Sequence, residues 1–279
     1  MKSTHIINKG LLIVASIYIF SFLSATAQSD TMYIMKSGFI VGQYHVHDDI
    51  DSIIFYKPEI NDTNRGRFTD IRDGNTYIWV RIGNQVWMAE NLKYLPKVVG
   101  VNTGSDSIPC YYVYDYDSTD VNEAKLTSNY KTYGVLYNWS AAMAGRAGST
   151  TNPSDVQGVC PSGWHMPSAS EWNELVEYAG GVIVAGDKLK EAGTTHWDFS
   201  HIGVTNETRF TALPGGYRYI FNGVPVFKSM FRNGSWWTAT EDEKNDTKAW
   251  YRGISGSASN IGENTFNKEI GFSVRCVRD

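Results

Sequence analysis

Apolar and polar residues alternate in short runs along this chain, and turn residues separate the runs. A period of two reads as strand with one face inward. The clearest case is the pair of runs at 77–82 and 85–89 around Gly83-Asn84, a two-residue hairpin loop between alternating strands. Further strands are predicted at 31–35, 39–46, 50–56 and 111–116. Others follow at 210–218 into Pro214-Gly215-Gly216, and at 235–240, 249–254 and 271–278, where Phe272, Val274 and Cys276 alternate inward. Helical spacing is rare. It predicts one helix over 133–144, from Tyr133, Leu136, Tyr137, Ser140, Ala141 and Ala144, stopped by Gly145. It predicts a second over 169–179, with Trp172, Leu175, Val176 and Ala179 on one face. Ser168 and Glu171 stand at capping-box spacing before it, and Pro161, Pro167, Gly158 and Gly163 stiffen the approach.

These elements fall into segments. Residues 1–27 read as a secretory signal peptide: Lys2 and Lys9 are basic, 11–23 are apolar, and Ala25-Thr26-Ala27 is a small-x-small cleavage site. The apolar run is too short for a comfortable membrane span, so no span is expected after cleavage. No cysteine lies near that site, so no lipid anchor is expected. Residues 28–60 read as a small β-rich module, 61–69 as a polar linker, and 70–279 as the main domain.

Composition narrows the class. A net charge of −4 without long runs argues against nucleic acid as partner. Aromatics make up 14%, with 9 Trp and 17 Tyr among 26 Gly, which suits a loop-rich, β-dominated extracellular domain. Export permits disulfides. Of the three cysteines, Cys160 and Cys276 are the expected pair and Cys110 is left over; three buried thiols are the alternative.

Candidate chemistry is sparse. His45 and His47 lie two apart on one strand face, without an evident third ligand, and read as solvated. His196 and His201 flank Trp197 and read as loop imidazoles. His165, between Trp164 and Met166, reads as a buried hydrogen-bonding residue. Tyr111, Tyr112, Tyr114 and Tyr116 read as strand packing. No Gly-x-Ser-x-Gly elbow follows the leader. The best candidate site is the acidic loop. Trp236, Trp237 and Trp250 offer indoles for sugar stacking beside Glu241, and Glu241, Asp242, Asn245 and Asp246 offer oxygen ligands for calcium.

Several motifs recur in one order: Gly134-Val135-Leu136-Tyr137-Asn138-Trp139, Cys160-Pro161-Ser162-Gly163-Trp164-His165-Met166-Pro167-Ser168, Ala212-Leu213-Pro214-Gly215-Gly216, Trp236-Trp237-Thr238-Ala239-Thr240-Glu241 and Gly271-Phe272-Ser273-Val274-Arg275-Cys276. Over 70–279 the chain resembles the Fibrobacter succinogenes major paralogous domain, found in surface proteins of Bacteroidetes and Fibrobacteres. The resemblance implies an α+β, C-type lectin-like fold of loop-rich mixed and antiparallel sheets with two main helices, distantly like that of formylglycine-generating enzymes. It implies no activity, because Cys276 is the only cysteine in the final third and no His-rich iron triad is present. The expectation is a secreted or cell-surface, non-catalytic module that binds a glycan or another surface protein. The alternatives are a structural subunit of a surface assembly, and an enzyme on the formylglycine-generating scaffold.

Overall fold

The computed structural model describes residues 31–36, 39–45, 63–199 and 202–279. The expected signal peptide and the strand at 50–56 lie outside these, as does His47. The chain divides into two compact units, residues 1–60 and 61–279. In the first, β1 (Thr31–Lys36) pairs antiparallel with β2 (Phe39–His45), Lys36 opposite Phe39.

The second unit is α+β. Its first sheet begins with β3 (Arg65–Thr69), β4 (Thr76–Ile82) and β5 (Gln85–Met88). Ile82 faces Gln85 across the Gly83-Asn84 loop, so this hairpin has the register its alternation dictates. Next come β6 (Tyr111–Tyr112), α1 (Val121–Leu126), α2 (Ser128–Tyr133), β7 (Leu136–Tyr137) and α3 (Trp139–Met143). Then β8 (Trp164–His165), α4 (Ala169–Tyr178) and α5 (Val182–Leu189) follow. The rest is strand: β9 (Gly215–Phe221), β10 (Val224–Met230), β11 (Asn233–Glu241), β12 (Lys248–Ser255), β13 (Ile261–Asn267) and β14 (Val277–Arg278).

The main sheet has the order β3-β4-β5-β14-β8, all antiparallel. The last strand is thus inserted between β5 and β8, with Val277 opposite both Trp87 and His165. Cys160 and Cys276 precede the adjacent strands β8 and β14 and form a disulfide. Cys110 is buried and free. A second sheet, β11-β12-β13, is linked to the segment before β14 by Trp237 N donating to Ser273 O and Ser273 N donating to Ser235 O. β9 and β10 form a separate hairpin.

The helix at 169–179 forms for the reasons its sequence states. Ser168 Oγ accepts from Glu171 N at 3.2 Å, and Glu171 Oε2 accepts from Ser168 N at 2.9 Å. Trp172, Leu175, Val176 and Ala179 are buried as one face. Burial of Leu175 and Val176 stabilises by roughly 1.5–3 kcal/mol each.

Elsewhere local pattern loses to tertiary pairing. The expected helix at 133–144 is three pieces. Gly134 breaks it at φ 76°, where a Cβ would lie 2.7 Å from Leu92 O. Leu136 and Tyr137 are then drawn into strand by Tyr112 and Tyr111, and Tyr137 exchanges backbone bonds with Phe272. Asn138 restarts the helix, its Oδ1 accepting from Ala141 N at 2.9 Å. The expected strand at 111–116 stops at Tyr112, and Asp115 turns the chain with φ 60°. The one expected at 210–218 begins only at Gly215. The apolar run at 182–189 is helical, capped at Gly181 without a side chain. Nor does the last segment alternate: 270–277 are all buried, because elements cover both faces.

His165 closes this region. Its Nε2 meets Glu171 Oε1 and its Nδ1 meets Asp279 Oδ1, each at 2.6 Å. Burial pulls the imidazole pKa down, but the bonds and charges of Glu171 and Asp279 outweigh it and leave it raised above 6.5. A base with a raised folded pKa contributes stability that is complete below its unfolded value and is lost as pH rises through the folded one. Urea midpoints should therefore fall as pH rises above roughly 6.5, and His165→Gln should flatten that limb. An unchanged limb in the variant would remove His165 as its source.

Candidate functional site

The structure places Trp236 and Trp237 in the core, with no exposed surface. Trp236 Nε1 donates to Asn91 Oδ1 at 2.9 Å, and its ring lies among Trp172, Phe210 and Arg275. Trp237 Nε1 donates to Tyr137 O at 2.8 Å, its ring 4.6 Å from Phe272. Both indoles have spent their donor and their faces on packing, so neither can stack on a sugar. Trp250 is half-buried on β12.

The acidic loop is a self-capped turn between β11 and β12. Asp242 Oδ1 accepts from Lys244 N at 3.0 Å, and this bond holds its carboxyl below the usual range. Asn245 Oδ1 accepts from Thr247 N and Thr247 Oγ1. Glu241 pairs with Lys268 at 3.4 Å, and Asp246 is exposed. Among the described residues no three His, Cys, Asp or Glu side chains are grouped to hold a metal ion. His196 Nδ1 lies 2.9 Å from the Glu191 carboxylate, and His201 is outside the described residues.

Accessible aromatic surface occurs on the face of this sheet that carries Tyr251, which pairs with Trp237. There the β9–β10 hairpin and β11-β12-β13 enclose an open cleft of about 530 Å³. Alternation sets its walls. Tyr217, Tyr219 and Phe221 recur at i, i+2, i+4 on β9, so one face of the strand presents three rings. Tyr251 stacks on Phe272 with centroids 4.6 Å apart, and Phe266 meets Tyr219 edge-on at 5.6 Å. Tyr217, Tyr219, Tyr251 and Phe266 are only half-buried, which distinguishes them from the two indoles. Burial raises the Tyr251 phenol, so it stays a neutral donor and acceptor at physiological pH.

The floor is bare. Gly253 and Gly262 face each other across β12 and β13. A Cβ on Gly253 would come no closer than 3.4 Å to its neighbours, and one on Gly262 no closer than 3.7 Å. Both are ordinary contacts, and neither residue has a positive φ. Packing therefore does not exclude side chains here, although glycine in a strand costs roughly 0.5–1 kcal/mol relative to alanine. Their absence widens the cleft and exposes backbone beside Tyr251.

These wall residues are missing from the sequence-based candidates, although a local signal marks them. Asn222-Gly223 occupies a two-residue loop with φ 50° and 79°, and Phe221 faces Val224 across it. Asn-Gly between alternating runs is a strong hairpin signal, and here it turns the tyrosine strand back on itself.

The model of the Fibrobacter succinogenes major domain matches residues 80–278. The chain belongs to this family. The match starts inside β4 and runs through β14, so it includes the β11-β12-β13 sheet, the disulfide, the cleft and the main sheet apart from β3 and the start of β4. Neither the curated proteins nor the solved structures contain a match to the chain. Membership in the Fibrobacter succinogenes major domain family carries architecture, while function has to be argued from the site.

Proposed function

We propose that this chain is a non-catalytic carbohydrate-binding module of an exported or cell-surface protein, and that its site is the cleft between the β9–β10 hairpin and the β11-β12-β13 sheet. The observation that carries the reading is the facing pair Gly253 and Gly262 beneath half-exposed tyrosines. A sugar ring presents a flat C–H face and a rim of hydroxyls. Tyr251 and Tyr219 offer flat rings, and Asn233, Ser235 and Asn264 border the cleft with small polar groups. Export is supported by the apolar leader at 11–23 and agrees with a disulfide, which persists in oxidising compartments. The C-type lectin-like assignment belongs to the same proposal. It rests on the motif order and on an α+β, antiparallel architecture in which the last strand is inserted between β5 and β8 of the main sheet.

Two variants test this on a glycan array followed by calorimetry. Tyr251→Ala should weaken any binding by roughly tenfold or more, the equivalent of about 1.4 kcal/mol. Gly262→Val should abolish it by filling the floor, yet melt no lower than the parent, since valine suits a strand better than glycine. A ligand whose affinity ignores both substitutions would place binding elsewhere, and an array with no bound glycan would reject the reading.

A further inference from the structure

A second cleft, of about 540 Å³, lies along β10 and the turn that follows it. Tyr114, Asp115, Asn129, Ser229, Phe231 and Arg232 border it. Lys228 lines both this cleft and the aromatic one, so β10 carries a cation where the two meet.

Its backbone is unusual. Asp115, Ser229 and Phe231 all have left-handed φ, at 60°, 62° and 66°. Asp adopts this conformation with little strain, but for a bulky residue such as Phe it costs on the order of 1–3 kcal/mol. Surrounding bonds impose it: Phe231 N donates to Pro214 O at 3.0 Å, Asp198 N donates to Phe231 O at 2.8 Å, and Arg232 N donates to Ser229 O at 3.2 Å. The strain does not serve burial, since Phe231 stays 44% exposed. It holds a ring and two cationic side chains at the rim of an open cleft.

Charge around the two clefts is unequal. Glu263, on the aromatic cleft, is paired with Arg252 at 2.6 Å. Lys228 has no carboxylate partner among the described residues, and its Nζ sits 3.8 Å above the Phe221 ring. Arg232 is paired only with Asp198, at 3.3 Å and largely in solvent, where such a pair holds little energy. Asp115 is the one carboxylate lining the second cleft.

We infer that the ligand is an acidic oligosaccharide, which lies in the aromatic cleft, passes Lys228 and continues past Phe231, with a carboxylate or sulfate group on Lys228 and Arg232. This rests on the carbohydrate reading above and adds two properties to it, charge and length. A chain is required because the two clefts are separate spaces joined at one residue.

The test titrates the full chain with tri- and hexasaccharides of three kinds: oligogalacturonates, sulfated glycosaminoglycan fragments and neutral β-glucans. At low salt an acidic hexasaccharide should bind about tenfold or more tighter than the neutral hexasaccharide, and tighter than its own trisaccharide. High salt and Lys228→Gln should each remove the first preference, while Lys228→Arg keeps it. Response to uronate alone, or to sulfate alone, identifies the anion and supports the inference. Equal binding of neutral and acidic chains overturns it and leaves the carbohydrate reading standing. Equal binding of tri- and hexasaccharide overturns it too, because the second cleft would then be unused. No binding of any arm overturns both.

Discussion

Replacing Arg275 by alanine is expected to lower the stability of the domain by about 3–5 kcal/mol. The side chain has no exposed surface. Its guanidinium donates to Asn91 Oδ1 at 3.0 Å, to Thr211 O at 2.7 Å and to Phe210 O, and it lies 4.2 Å over the Phe210 ring. Burial depresses its pKa to about 9, so it is still a cation at neutral pH. Oxygen dipoles and a π face solvate this charge, a role that planar, delocalised Arg fills better than Lys. Truncation leaves the carbonyls of Phe210 and Thr211 unpaired, while Asn91 Oδ1 keeps Trp236 Nε1, and it opens a hole beside Trp236 and Phe210; these two costs add. Arg275→Met refills much of the volume but none of the bonds, so it should fall between parent and alanine. Guanidinium unfolding curves check the order. A loss below about 1 kcal/mol for the alanine variant would mean that water or rearrangement satisfies the carbonyls, and the account of this core would be wrong. The consequence reaches the site. Thr211, held at φ 55°, leads through Pro214 into β9, so Arg275 anchors the approach to the tyrosine wall of the cleft.

Legibility in the sequence followed the range of the forces. The Gly83-Asn84 hairpin, the Ser168–Glu171 cap and the buried face of α4 depend on neighbours within a few residues, and the pattern stated all three. Membership in the family was legible as well, because motifs such as Trp236-Trp237 and Gly271–Cys276 are packing residues that the architecture demands. The same property misdirected the site. An indole that a fold requires is an indole that the fold buries, and Trp236 with Trp237 showed this. The segment 133–144 misled for another reason. Its helical spacing is real, but Phe272, more than a hundred residues away, pairs with Tyr137 and takes it out of the helix. The cleft could not be read from spacing alone, because its walls come from β9, β12 and β13 and meet only through the register of two hairpins.

Removing the disulfide should have the other large effect. Cys160 and Cys276 are separated by 116 residues. Closing a loop of that size restricts the unfolded chain by about 4–5 kcal/mol in the chain-entropy account. For a domain of about 200 residues this corresponds to a drop in melting temperature of roughly 8–20 °C. The location makes the full amount plausible to recover in experiment. β14 has only two residues, yet it holds β5 and β8 together through Val277 and Arg278. Few backbone bonds secure it, so the tether also limits fraying of this side of the sheet. Both sulfurs belong to fully buried residues, so a reductant added to the folded protein would act slowly, and the double variant Cys160→Ala with Cys276→Ala is the cleaner comparison. Its melt should match that of parent refolded under reductant, while Cys110→Ala, which alters a free buried thiol, should remain sensitive to reduction. A double variant that melts within about 2 °C of the parent would show that the unfolded chain is already restricted near these ends, and the entropic account would fail for this protein. The cleft gives an independent check. Apart from Phe272, its lining lies on or between β9 to β13, none of which carries either cysteine, so ligand affinity measured well below the melt should survive the loss of the bridge even as the domain's stability falls.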